Sequence, residues 1–309
     1  MTAQTAGLIW ALAFVVLEAA QFVFFGGTFQ RMDSFLFGFL VLGLTVITFV
    51  GAAILRSPGQ VRAAFANPWL LFRINAIATL GWIAYLGSVQ LIEPAVAYTI
   101  GAGVMPLTAV ALHYLGWSEG EALRNRLEIL GNILIGLAIL SLILVTLMDL
   151  SGFVRGGIGA ALLGVALAIA DGVLFTLLLV YCQRMDRKGV GPSALFGMRF
   201  MLYVLTAGVL AATRVNPAPV PEVSEMIWII VAGYALIVPP LYALQRAVAL
   251  ISTLTLGTLT ATGPFVIFLL QIFEGRVAQS GPTLIGLCLF FAGAIVAATG
   301  ATRAAIRAS

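Results

Sequence analysis

Charge is what this chain has least of. Only 9% of its 309 residues are Asp, Glu, Lys or Arg, 61% are hydrophobic, and mean hydropathy is +1.10. A soluble globular domain carries about 25% charged and about 45–50% apolar residues. Twelve acids and sixteen bases cannot coat a water-soluble fold of this size. Histidine is nearly missing as well: His113 stands alone, which rules out a His-rich metal site and leaves little to build a Ser–His constellation with. The two cysteines, Cys182 and Cys288, lie far apart in apolar runs with neither metal nor redox spacing, and read as small buried hydrophobes. No Gly-x-x-x-x-Gly-Lys-Ser/Thr run occurs, so the sequence gives no sign of direct use of a nucleoside triphosphate. The chain therefore reads as no enzyme, with no catalytic residue, no metal and no cofactor.

What is present is a series of long apolar runs. A bilayer removes the need for a polar coat but forces backbone polar groups to be satisfied internally, by helices or a closed barrel. A barrel alternates apolar and polar residues in segments of about ten. Here the runs are near twenty residues, the length of a spanning helix. The expectation is an all-α integral membrane protein with ten spans at 5–29, 34–55, 70–91, 94–116, 127–148, 157–183, 192–213, 225–245, 249–273 and 281–302. The first run lacks a basic start and is followed by many others, so it reads as a span and not a cleavable leader. Connections are short, leaving no room for a soluble domain; the Pro-rich stretch 216–221 is a stiff loop.

The net charge of +4 and pI near 9.4 come from scattered bases, which speaks for topology and against nucleic acid as a partner. With the N-terminus inside, the cytoplasmic loops hold eleven bases: Arg56, Arg62, Arg73, Arg124, Arg126, Arg184, Arg187, Lys188, Arg246, Arg303 and Arg307. The outer loops hold Arg31, Arg155, Arg214 and Arg276, and Arg199 falls inside the seventh span. Both termini are expected in the cytoplasm of a bacterium, the protein being multi-pass in its inner membrane.

An internal repeat organises the chain. Gln-Arg-Met-Asp occurs at Gln30–Asp33 and again at Gln183–Asp186, 153 residues later; the same offset carries Glu18 onto Asp171. These two are the acids deep within apolar segments, midway along spans one and six. Pro106 corresponds to Pro264, and Leu130-Gly131 to Ile285-Gly286. The halves are 1–150 and 151–309, five helices each. Five is odd, so the second half enters from the opposite side, an inverted repeat that puts a site near the midplane and allows alternating access.

The chain resembles the ten-helix drug/metabolite transporter superfamily, of the EamA-like kind. The resemblance covers nearly the whole chain and rests on Leu80-Gly-Trp-Ile-Ala-Tyr85, on Pro94-Ala-Val-Ala-Tyr-Thr-Ile-Gly-Ala-Gly-Val-Met-Pro106, on Tyr242-Ala-Leu-Gln-Arg-Ala-Val-Ala-Leu-Ile-Ser-Thr253, and on Pro264 and Glu274 before a Gly-rich last helix. Within it the spacing is similar to bacterial amino-acid exporters, including the aromatic branch, whose members carry aromatic side chains where this chain has Met105 and Asp171. The resemblance implies export of amino acids or related small metabolites, with spans one to four and six to nine walling the cavity. It also implies, from small multidrug relatives with a proton-exchanging glutamate in the first helix, such a role for Glu18.

A charge at mid-bilayer costs about 2.5–3.5 kcal/mol on insertion scales. Two such costs at repeat-related positions point to Glu18 and Asp171 lining the cavity and binding a proton or a cationic group; a protonated carboxyl bonded to a neighbouring helix is the packing alternative. Arg199 could clamp a substrate carboxylate or pair with Asp171, or its stem could snorkel to the cytoplasmic interface. Trp82, Tyr85, Tyr98 and Tyr242 are candidate pocket walls, Trp82 and Tyr85 sharing one helix face. Gln21, three residues after Glu18, and Gln245 add polar lining. Gly101, Gly103 and Pro106 in span four, and Gly263 and Pro264 in span nine, are candidate hinges. Gly293 and Ala297 could pack helices within the chain or between chains. Secondary transport is the leading expectation, with proton-coupled efflux of drugs or cations as the alternative and a non-transporting membrane subunit as the third. The substrate, membrane lipid and protons are the expected partners; a monomer suffices.

Overall fold

The computed structural model describes residues 3–28, 32–123, 125–215, 221–248, 250, 259–275 and 277–308, with side chains at 3, 4, 26, 27, 241, 242, 245, 246, 248, 302 and 304–308 left aside. Twelve helices are named within them: α1 (Ala3–Thr28), α2 (Ser34–Arg56), α3 (Pro58–Phe65), α4 (Pro68–Leu91), α5 (Pro94–Tyr114), α6 (Arg126–Leu147), α7 (Gly157–Asp186), α8 (Pro192–Met198), α9 (Met201–Ala212), α10 (Val223–Val248), α11 (Gly263–Glu274) and α12 (Gly281–Ala308). Among the described residues there is no strand, only an isolated bridge between Ile92 and Val154. Nine helical stretches there, counting α8 and α9 together, are long and apolar enough to cross a bilayer; α11 is apolar but shorter. The protein is thus an all-helical, multi-span membrane protein.

The starts of these helices follow from their first residues. Pro58, Pro68, Pro94, Pro192 and Pro264 each sit in a first turn, where a missing N–H costs nothing. Asp33 caps α2 by accepting from the Phe35 N–H at 2.8 Å, and Asn125 caps α6 by accepting from Leu127 and Glu128. Buried threonines return their hydroxyls to their own helix: Thr45, Thr79, Thr99 and Thr146 each donate to the carbonyl four residues back.

Two sequence expectations change here. The seventh span is no continuous helix: α8 ends at Met198 and α9 begins at Met201, with Arg199 and Phe200 forming the break. Span two is followed by an extra short helix, α3. Of the ninth span, 249 and 251–258 lie outside the described residues, as do Gln30 and Arg31 of the first repeat motif and most of the Pro-rich loop.

Packing joins the two halves of the chain. Across the sequence, α1 lies on α10, α4 on α7, α2 on α8 and α9, α5 on α7, and α6 on α12. The α6–α12 seam is an antiparallel ladder of small residues. A Cβ on Gly293 would stand 2.9 Å from the Ile135 nitrogen and 3.0 Å from the Gly131 oxygen; Gly131 abuts Ala297, and Gly286 abuts Leu142. The Gly293 and Ala297 pattern therefore packs within the chain. Replacing Gly293 with Leu should destabilise the protein by about 1–3 kcal/mol or more, because backbone cannot yield to the added bulk. Gly136→Ala in the same α6 has open space before it and should be neutral or stabilising, by up to about 1 kcal/mol. Thermal unfolding of the two variants in detergent checks the contrast.

Candidate functional site

Glu18, Gln21, Phe22 and Phe25 recur at helical spacing and share one face of α1. That face meets α4 and α5. The Phe22 ring stands edge-on to Tyr85 and to Tyr98, both at 4.8 Å between centroids. The Tyr98 hydroxyl donates to Glu18 Oε2 at 3.0 Å, and Gln21 Nε2 donates to the Tyr85 oxygen at 3.2 Å. Asp171 reaches the same place from α7: a Cβ on Gly101 of α5 would lie 3.3 Å from its Oδ2. Glu18 and Asp171 interact electrostatically, and both act on Tyr85. Gly263, opening α11, sits against the Tyr98 hydroxyl, where a Cβ would be 2.8 Å away. Four helices and the start of a fifth thus converge on two acids and two phenols. Among the described residues neither acid has a basic partner; the ion pairs there belong to Glu119. Two carboxyls in an apolar wall, one of them held by a phenolic donor, can take up a proton or receive a cationic group.

The other expected site residues distribute unevenly. Trp82 extends the cluster, edge-on to Tyr85 at 5.4 Å and to Phe200 at 5.7 Å. Met105 lies on α5, its carbonyl 3.4 Å from the Thr176 hydroxyl. The side chains of Tyr242 and Gln245 are outside the described residues. Arg199 does not pair with Asp171. Its guanidinium carbon lies over the rings of Phe196 and Phe200, at 4.6 and 4.8 Å, with the Cys182 thiol of α7 within electrostatic reach.

The hinge candidates fall at particular places in the helices. α5 runs unbroken through Pro106, and Pro264 opens α11 instead of bending it. Gly101 and Gly263 permit close approach to Asp171 and Tyr98, while Gly103 packs on Ile139 of α6, 2.9 Å from a built Cβ. The break that does occur, at 199–200, is held by Asn75 of α4. Its Nδ2 donates to the Met198 carbonyl at 2.9 Å and its Oδ1 accepts from the Leu202 N–H at 3.0 Å.

Two polar ties between the halves were not read from the sequence. At the end of the bundle that charge bias assigns to the outside, Glu93 is fully buried ahead of α5. It accepts from Gly152 N–H at 2.8 Å, the Thr283 hydroxyl at 3.0 Å and Gln271 Nε2 at 3.1 Å, while Gln271 Oε1 accepts from Ala95 N–H. At the opposite end Glu119 takes Arg184 in a two-pronged pair, at 2.9 and 2.8 Å, and Arg187 at 2.7 Å. The Arg184 guanidinium, followed by Arg187, holds the Glu119 carboxyl below the usual carboxylate range. The one sequence signal for the outer tie was an acid directly before the helix-opening Pro94.

Cavities of about 410 and 420 Å³ open on the flanks, the first lined by Phe24, Trp228 and Glu274, the second by Phe35, Gln90 and Arg155; neither is lined by Glu18 or Asp171. Glu18 and Asp171 are themselves half-buried, while the Tyr85 and Tyr98 rings between them are buried. No known family matches this chain, and no curated protein does. Eight solved chains match it in structure. One, a crystal structure described with no activity, is 22% identical, covers 97% of this chain and 98% of its own, and superposes with a TM-score of 0.61. At that identity the likeness speaks for fold alone, and it extends from end to end.

Burial pushes the Glu93 carboxyl up, against the lowering effect of its donors Gly152, Thr283 and Gln271. A folded value above the unfolded one stabilises the protein fully below the ordinary carboxylate range, and the benefit is lost as pH rises through the folded value. Glu93→Gln should flatten that part of the melting-temperature profile measured against pH. Thr283→Val should cost about 1–3 kcal/mol by leaving a buried carboxylate oxygen short of a donor. An unchanged profile in the first variant would show that Glu93 does not titrate there.

Proposed function

We propose that this protein is a ten-span secondary transporter of the drug/metabolite transporter kind, exporting amino acids or related small metabolites across a bacterial inner membrane. The observation that carries the reading is the convergence of Glu18 and Asp171, from helices 153 residues apart in sequence, on the Tyr85–Tyr98 cluster. Acids within a membrane are costly, and placing a pair of them midway along their spans without a basic partner serves binding better than stability.

Support for the inverted repeat comes from packing. Gly286 stands 155 residues after Gly131, and Ala297 stands 155 after Leu142; the contacts Gly131–Ala297 and Leu142–Gly286 exchange under that offset. The pairing of α1 with α10 likewise exchanges with that of α7 with α4 when spans one and six, and eight and three, are swapped. The two halves would rock about this pseudo-twofold, exposing the acid cluster to each side in turn.

A second reading, proton-coupled efflux of organic cations, is favoured by the same unpartnered acids. Flux in proteoliposomes, with amino acids and with an organic cation such as tetraphenylphosphonium, decides between them. Saturable amino-acid flux is the expected result; flux confined to the cation would select the second reading. With proton coupling, Glu18→Gln should abolish the response to an imposed pH gradient, while Asp171→Asn should lower amino-acid flux tenfold or more. A Glu18→Gln protein that responds to the gradient as wild type does would remove the proton role.

A further inference from the structure

We propose that Arg199 is an anion-binding residue, which receives the carboxylate of an organic solute with an apolar or aromatic body. The break between α8 and α9 is a built feature, since Asn75 satisfies the backbone on both sides of it. Non-helical backbone at membrane depth is tolerated where it is buried in protein or lines a cavity, and Asn75 meets the first condition without using the Arg199 side chain. That side chain is left for another purpose.

Its surroundings define the chemistry. The guanidinium carbon lies over the rings of Phe196 and Phe200, 4.6 and 4.8 Å from their centroids, with the Cys182 thiol within electrostatic reach. Its Nε is buried and makes no hydrogen bond. Among the described residues no acid pairs with it, since the ion pairs are those of Glu119 with Arg184 and Arg187. A snorkelling arginine would carry its nitrogens into the hydrated interface; here one is sealed in protein. Two aromatic rings hold the cation in place without neutralising it. The planar fork of a guanidinium matches a carboxylate, two N–H groups to two oxygens, which an ammonium cannot do.

The position links this residue to the acid cluster. Phe200 is edge-on to Trp82, Trp82 to Tyr85, and the Tyr85 oxygen accepts from Gln21, three residues past Glu18. A continuous aromatic wall therefore runs from the guanidinium to the acids. A solute with a carboxylate at one end and an apolar body would lay that body along the wall. The inference rests on the transport reading for its biological setting, but the binding itself is measurable without flux.

The test uses the full chain in detergent, with Cys288, exposed on α12, replaced by Ser so that Cys182 is the single thiol. Phenylacetate, its neutral counterpart 2-phenylethanol and the cation phenethylamine are compared by thermal shift and by protection of Cys182 from N-ethylmaleimide. Phenylacetate should raise the melting temperature and slow Cys182 modification severalfold, and 2-phenylethanol should do neither. Arg199→Gln should weaken phenylacetate binding at least tenfold and leave phenethylamine unaffected. Arg199→Lys, which keeps the charge and loses the fork, should bind phenylacetate measurably more weakly than wild type, and it serves if the Gln variant does not fold. Equal protection by phenylacetate and 2-phenylethanol, or wild-type phenylacetate affinity in either variant, would overturn the assignment. Carboxylate binding with no flux of any solute would sink the transport reading and leave the anion site standing. Flux of cations or neutral solutes without carboxylate binding would do the reverse.

Discussion

Hydrocarbon offers no hydrogen bonds, and nearly every local feature of this protein answers to that constraint. Helices satisfy their own backbones; prolines at first turns remove donors that would lack acceptors; threonines return their hydroxyls to the preceding turn. Where the backbone departs from helix, a side chain closes the account from elsewhere in the chain. Asn75 does so for the break at 199–200, and Gln271 does so for the Ala95 N–H. Both are amides, which carry donors and an acceptor on one planar group and so can mend a break in either sense.

Against that background the exceptions stand out. A buried carboxyl with three donors, as at Glu93, is a structural solution. Glu18 has one phenolic donor, Asp171 has a glycine beside it, and Arg199 has two ring faces and a thiol. These groups carry the desolvation cost of burial without the partners that ordinarily offset it. They also lie along one aromatic wall. Ligand chemistry explains that grouping better than packing does, since packing would have been served by leucine at every one of these positions.

The sequence disclosed the spans well, because a run of twenty apolar residues has few other fates. Glu18 and Asp171 were legible for the complementary reason that an acid in such a run is anomalous. The break at Arg199 was not legible. Arg-Phe contains neither proline nor glycine, and what stabilises the break is an asparagine more than a hundred residues upstream. The glycines of spans four and nine suggested hinges because flexibility is glycine's local property; that the missing Cβ of Gly101, Gly103 and Gly263 also admits Asp171, Ile139 and the Tyr98 hydroxyl is something only the partner helix reveals. Glu93 was passed over because it lies between spans, where charge is unremarkable, and its burial depends on Thr283 and Gln271 from the far end of the chain.

The two polar ties constrain how the proposed rocking could proceed. Each joins the first half to the second, Glu93 to Gln271 and Thr283 at one end and Glu119 to Arg184 and Arg187 at the other. The ties differ in kind. The Glu119 pair involves arginines with substantial exposure, 33% and 62% of their side chains, and water can replace each bond as it breaks, so its net contribution is small. Separating Glu93 from its donors before water arrives would strand a buried carboxylate, which is a far larger barrier. The small-residue seam of α6 and α12 lies against backbone and has no slack. Motion is therefore easiest at the Glu119 end, with the seam as a fixed edge and the Glu93 tie as the last contact to part.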